Sequence, residues 1–172
     1  IQIPVKIEEI LNNKEQIQNC AKKFANFRNF IFIARGINLA TALEGALKLK
    51  EISYINATGY AAGELKHGPI AMLDETMPVL SVLIPGGITY DKILSNSEEA
   101  KARNARLIAL TSSSDKQLED IFENIIKIPS VPEILSPIVA NVPCQLLAYY
   151  IAEFLGKDVD QPRNLAKSVT VE

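Results

Sequence analysis

The sequence predicts an α/β domain, a three-layer α/β/α sandwich built on a parallel sheet with helices on both faces. Three observations lead there. Short apolar runs at Phe30–Ala34, Val79–Ile84 and Leu107–Leu110, with a briefer one at Ile125-Ile126-Lys127-Ile128, read as strands buried on both faces, which is how strands of a parallel sheet look. Longer segments with helical spacing alternate with these runs, and strand–helix–strand alternation implies right-handed crossovers between parallel strands. The chain has 172 residues, 48% hydrophobic and 22% charged, which suits one domain with a core of its own and argues against disorder.

Residues 5–28 place Val5, Ile7, Ile10, Leu11, Ile17, Ala21 and Phe24 at roughly helical spacing among charges, and predict a helix before the first strand. Arg35-Gly36 ends that strand, and Asn38 or Thr41 can cap the next helix, which carries Glu44, Lys48 and Glu51. Asn56-Ala57-Thr58-Gly59 is expected to break this helix; a shorter helical piece over 61–66 follows and Gly68-Pro69 stops it. Pro85-Gly86-Gly87 closes the second strand. Thr89 to Asn104 reads as a polar surface helix, and Thr111-Ser112-Ser113-Ser114-Asp115 follows the third strand. Pro132 to Leu155 reads as a long apolar helix. Its length invites a transmembrane reading, but Pro137, Asn141, Pro143, Gln145 and Glu153 interrupt it, and a helix buried between the sheet and a partner subunit fits better. From Gly156 the chain turns polar. Residues 1–172 are read as one domain, with 157–172 as a C-terminal tail.

A formal net charge of −2 provides no electrostatic footprint for nucleic acid or an anionic membrane. Two cysteines, Cys20 and Cys144, do not make a disulfide framework, and a reducing cytoplasm is expected. No cationic, apolar leader opens the chain. Ile1 at the start reads as the cut edge of a longer protein, and the SVTVE end as a natural terminus. One histidine and no second ligand cluster point to no metal and no cofactor.

The stretch from Ala42 to Pro69 carries the chemistry. Glu44, Lys48 and Glu51 stand at i, i+4 and i+7, so a helix stacks them on one face. On spacing alone they are surface ion pairs, worth about 0.2–0.5 kcal/mol each. The surrounding Leu43, Ala46, Leu47, Leu49, Ile52 and Ile55 leave little of the helix for solvent, which turns the stripe into a candidate cleft wall. There an ammonium would keep a carboxylate ionised while desolvation raises its basicity. His67, more often a plain core or surface residue, ends a short element beside Lys66 and Gly68 and titrates in the range of a proton shuttle. TSSSD could cradle a phosphate, yet a turn and helix cap is the better reading. Arg35-Gly36 is too little for a dinucleotide fingerprint. Nothing in the residues alone singles out Lys167 from a solvated terminus.

Two stretches, ALEGALKLKEISYINATGYAAGELKHGP and DVDQPRNLAKSVTVE, closely resemble the glucosamine-6-phosphate synthase family, the glutamine:fructose-6-phosphate amidotransferases. The likeness is to the second sugar-isomerase (SIS) subdomain of the isomerase half and runs from the first strand to Glu172. It implies a flavodoxin-like parallel sheet of SIS type. It also implies conversion of fructose 6-phosphate to glucosamine 6-phosphate with ammonia from a separate glutaminase domain. Lys167 would form a Schiff base with the open sugar's ketone. Glu51 would move a proton between neighbouring carbons. His67 would open the sugar ring in the site of a neighbouring subunit, which makes a homodimer the expected assembly. Glu44 and Lys48 would support Glu51, and Ala166 would touch the sugar within a tail acting as a lid. The family's phosphate-binding Ser/Thr loop, of the type SxSGxT, belongs to the first SIS subdomain. The comparable strand here ends in Pro85-Gly86-Gly87-Ile88-Thr89, without such a loop. The partners expected are therefore a sugar phosphate and the rest of the same polypeptide, and this chain alone is expected not to make glucosamine 6-phosphate. Two other readings remain: a fructosamine-type deglycase, which product assays on both substrates would separate, and a non-catalytic sugar-phosphate sensing or dimerisation module, in which Glu51 and Lys167 would be replaceable.

Overall fold

The structure is a computed structural model and describes residues 2–164. Five parallel strands form one sheet in the order β2-β1-β3-β4-β5: β1 (Asn29–Ala34), β2 (Asn56–Ala61), β3 (Pro78–Leu83), β4 (Arg106–Thr111) and β5 (Asn124–Lys127). The helices are α1 (Ile3–Asn12), α2 (Glu15–Phe24), α3 (Leu39–Ser53), α4 (Tyr90–Lys101), α5 (Gln117–Ile121) and α6 (Ser136–Phe154). The three-layer parallel architecture is the one expected.

Alternation in β1 divides the core. Phe30 and Phe32 join Leu80, Ile108 and Ile126 under α1, α2, α3 and α6, while Ile31 and Ile33 join Val79, Leu107 and Ala109 under α4, α5 and the 3-10 turns at Ala62–His67 and Pro69–Met72. Successive strand residues point to opposite faces, so an unbroken apolar run fills two cores at once.

Two expectations are corrected. The periodic stretch 5–28 holds two helices, not one: the Asn13 backbone N–H closes α1 on the Glu9 and Ile10 carbonyls, and its side-chain amide donates to the Glu9 carbonyl. Ile10 and Ile17 are both buried, so the apolar spacing continues across a break in the backbone. The sheet also has a fifth strand where Asn56-Ala57-Thr58-Gly59 was expected only to end a helix. Asn, Gly and Ala are poor strand formers, yet β2 pairs with β1 from Asn29↔Asn56 to Ala34↔Ala61. Gly59 explains this choice. A Cβ there would stand 2.9 Å from the Ala42 carbonyl oxygen and from the Leu43 Cα, so only glycine lets α3 lie this close to the edge strand.

α6 is long and apolar enough to span a membrane by composition. Its inner side, including Val139, Ala140, Cys144, Leu147, Ala148 and Ile151, is buried in the core beneath α3, as a core helix requires. Ile138, Tyr149 and Phe154 remain exposed.

At the sheet edge far from β2, Arg106 Nε donates to Glu123 Oε2 at 2.8 Å, and a second guanidinium nitrogen bonds Glu123 Oε1. Lys23 Nζ lies 3.0 Å from the same carboxylate. The guanidinium also faces the Phe24 and Phe27 rings at 5.0 Å each. The Arg106 hydrogen bond, with help from Lys23, holds the Glu123 carboxyl down at about 2 from its ordinary 4.5. A carboxyl depressed in the folded state adds stability above its unfolded value and loses it as pH falls toward the folded one.

Glu123→Gln should therefore lower stability by about 1 kcal/mol at neutral pH; in denaturant titrations the gap to wild type should close as pH drops from 4.5 toward 2. Gly59→Ala should cost about 1–3 kcal/mol, since the atoms it meets are backbone and cannot turn aside; a chain as stable as wild type would show that α3 can move off β2.

Candidate functional site

α3 starts where β1 ends and runs back to the edge where the strands begin. Its first residues are bolted to the start of α6. Asn38 Nδ2 donates to Ser136 Oγ at 2.8 Å, and Ser136 Oγ donates to the Glu133 carbonyl at 2.6 Å. Asn38 occupies the N-cap position but makes no side-chain cap bond to the helix. Thr41 Oγ1 donates to Asn38 Oδ1 at 3.4 Å and is likewise committed to this buried cluster.

From this fixed start, α3 brings Glu44, Lys48 and Glu51 together as the spacing implies. Lys48 Nζ lies 2.7 Å from Glu51 Oε2 and 3.6 Å from Glu44 Oε1. The hydrogen bond to Glu51 raises the Lys48 ammonium above its usual range, against the opposing effect of burial. A lysine held protonated has no lone pair to attack a carbonyl, so in this arrangement Lys48 acts as the cation of an ion pair with Glu51. One expectation fails. The stripe is not a desolvated wall: the three side chains keep 41%, 33% and 28% of their surface exposed. Leu43 and Leu47 are exposed as well. The sequence made the helix look apolar around its girth, but the buried residues are Thr41, Ala42, Gly45, Ala46, Leu49 and Ser53.

His67 ends the Ala62–His67 turn and is exposed. That turn follows β2 and packs into the other core through Ala62 and Leu65. Glu51 lies near the end of α3, where β2 is about to begin. His67 and Glu51 are therefore on opposite faces of the sheet and toward opposite ends of β2, whose six residues span roughly 17–20 Å. One chain does not bring them into a single site.

Thr111 to Asp115 behave as a turn and helix start. The Ser113 N–H donates to Thr111 Oγ1, the Asp115 N–H to Ser113 Oγ, and the Gln117 N–H to Asp115 Oδ1. Arg35 is a structural bolt: Nε and Nη2 donate to Asn96 Oδ1 at 3.0 and 2.9 Å, and the guanidinium lies so close to Gly63 that a Cβ there would stand 2.6 Å from it. Among the described residues, no three His, Cys, Asp or Glu side chains are grouped to hold a metal ion.

Lys167 and Ala166 lie outside the described residues. The chain leading to them does not. Past α6, the Arg163 N–H donates to Tyr54 Oη at 2.9 Å, and the Arg163 guanidinium lies 4.2 Å from the centre of the Tyr54 ring. Lys157 Nζ is 5.7 Å from the same ring. Tyr54 is the C-cap of α3, three residues after Glu51. Sequence reasoning passed over Tyr54 because nothing local marks it: a tyrosine after a helix is common, and its partners are over a hundred positions away.

Residues 23–152 match the family model of the SIS domain. The chain is 57% identical over 172 residues to the glutamine–fructose-6-phosphate aminotransferase [isomerizing] of Synechocystis sp. and 51% identical over 170 residues to that of Thermus thermophilus. Each match covers 99% of this chain and 27% and 28% of the relative, so the chain spans just over a quarter of the curated relatives' length. Among solved structures, the C-terminal domain of glucosamine-fructose-6-phosphate aminotransferase from Francisella tularensis superposes with a TM-score of 0.82 at 38% identity, over 91% of this chain and 44% of that one. Tagatose-6-phosphate ketose/aldose isomerase from Escherichia coli shares the fold, with a TM-score of 0.75 at 19% identity over 88% of this chain and 42% of that one. On its five-stranded parallel sheet and the match over residues 23–152, the chain belongs to the SIS domain family.

Proposed function

We propose that this chain is the second SIS subdomain of a glutamine-dependent fructose 6-phosphate aminotransferase, acting within a longer polypeptide that also holds the glutaminase and the first SIS subdomain. The observation that carries the reading is the docking of Arg163 on Tyr54, one helical turn beyond Glu51. Lys167 stands four positions beyond Arg163, a backbone reach of at most about 14 Å. This short reach supports a tail amine that works at the end of α3 where the carboxylate base stands.

In this reading the Lys167 amine attacks the C2 ketone of open-chain fructose 6-phosphate, and water leaves as the imine forms. Ammonia displaces the lysine and becomes the C2 nitrogen. Glu51 takes a proton from C1 and returns it to C2 while the C1 hydroxyl proton passes to the nitrogen, which leaves an aldehyde at C1 and an amine at C2: glucosamine 6-phosphate. Lys48, protonated and 2.7 Å from Glu51, holds the carboxylate in place, and Glu44 sets the other side of the ammonium. His67, remote from Glu51 in its own chain, opens the sugar ring in the site of a second copy, so the working form is a dimer. Ala166 lies against the sugar through its backbone, and residues 157–172 are the lid. The phosphate is held by the first SIS subdomain. Two free, buried thiols, both pushed up to about 12 by burial, fit the reducing cytoplasm.

In the longer polypeptide, Lys167→Ala should abolish synthesis, since no other amine replaces the Schiff-base nucleophile; product formation by chromatography checks this, and near-normal turnover would sink the assignment. Glu51→Gln should block proton exchange at C1 while leaving sugar binding largely intact. Solvent-deuterium incorporation and sugar titration measure the two separately, and equal loss of both would remove Glu51 from the role of base. The 172-residue chain alone should show no synthesis.

A further inference from the structure

We propose that Tyr54 is a positioning residue that anchors the C-terminal arm through Lys157 and Arg163, at the end of α3 that carries Glu51; this rests on the proposed function. Tyr54 has φ +66° and ψ +14°, the left-handed conformation that ends many helices and that glycine usually supplies. Among the described residues, the other non-glycine residues at positive φ are Asn104 and Asn164, and asparagine tolerates that region well. A bulky aromatic does not. A strained residue at a site persists where its side chain is needed, and here the side chain has a task.

The Tyr54 ring and hydroxyl engage the arm at two separate places. Lys157, just past α6, and the Arg163 guanidinium both lie against the ring, and the hydroxyl accepts the Arg163 backbone N–H. The ammonium and guanidinium are drawn to the negative faces of the ring, while the main-chain bond sets the register of the arm residue by residue. Between these anchors, Asp158 Oδ1 accepts the N–H groups of Asp160 and Gln161, which folds the arm into a tight turn. The arm borders a cleft of about 610 Å³, lined also by Phe27, Arg28 and Asn56, and Tyr54 holds it at Lys157 and Arg163. Because α3 carries both Tyr54 and Glu51, one rigid element sets the base and the root of the arm together. Fixing the root of the arm narrows the positions that a group further along it can reach, which is how positioning makes a reaction effectively intramolecular.

The test uses the full-length polypeptide with this chain as its C-terminal part. Tyr54→Gly removes the anchor but eases the backbone, so the fold should keep or gain thermal stability. Its kcat for synthesis should fall about tenfold, with the KM for fructose 6-phosphate changed far less, because one hydrogen bond and two cation–ring contacts are lost. Borohydride trapping of the sugar on Lys167 should slow in parallel. Tyr54→Phe keeps the ring and loses only the acceptor: its kcat should lie between the two, and the Arg163 amide should exchange with solvent faster than in wild type. Wild-type kcat in Tyr54→Gly, beside a Lys167→Ala variant that is dead, overturns the anchor and leaves the proposed function standing. If Lys167→Ala makes product normally, it is the proposed function that fails. The anchor is then judged by Arg163 amide exchange in Tyr54→Phe: acceleration upholds it, and no change overturns it.

Discussion

The close approach of α3 to its neighbours is the constraint on which the rest depends. Two glycines permit it. Gly59 on the edge strand lets the α3 backbone settle against β2, where any side chain would stand 2.9 Å from the Ala42 carbonyl oxygen. Gly45 on the helix lets the Phe32 ring and the Cys144 Cβ come in on the other side, where a Cβ would find them at 2.9 and 3.2 Å. With α3 wedged between sheet and α6, its roll about its own axis is fixed. The stripe of Glu44, Lys48 and Glu51 then faces outward as a consequence of packing, with no contact of its own to the core. Protein interiors are too dense to let such a helix turn by even a fraction, so the position of the charged groups inherits the precision of the core.

That arrangement clarifies what a single copy of this chain can do chemically. A protonated lysine between two carboxylates is an orienting device. It ties Glu51 and Glu44 to one ammonium on the helix surface, and offers no free amine of its own. The exposure of the stripe and of Leu43 and Leu47 beside it indicates a surface rather than a finished pocket. A site closed to water needs further walls, and His67, across the sheet from Glu51, adds none on this side. The physical form of the site is therefore one wall, held rigidly, with its arm rooted at the end of the same helix.

Much of the molecule was legible in the residues. The buried strands β1, β3 and β4 stand out because two-sided burial demands unbroken apolar runs, and the stripe follows from helical spacing alone. β2 was hidden because it is an edge strand with one buried residue, Ala57, and its composition reads as a break. The split between α1 and α2 was hidden because Ile10 and Ile17 keep the apolar rhythm going across the gap. The apparent all-round apolarity of α3 misled for a related reason: leucine is as free to sit on a surface as in a core, and composition does not say which side of a helix is covered.

By itself the sequence determined the parallel α/β class, the stacking of Glu44, Lys48 and Glu51, and the turn role of Thr111 to Asp115, because each depends on neighbours within a few residues. The tertiary structure decided the rest. It set His67 and Glu51 on opposite faces of the sheet, left the charged stripe half-exposed, and brought Arg163 onto Tyr54 across 109 positions. Local spacing carries backbone periodicity, whereas which distant groups meet is settled only when helices and strands compete for the same core.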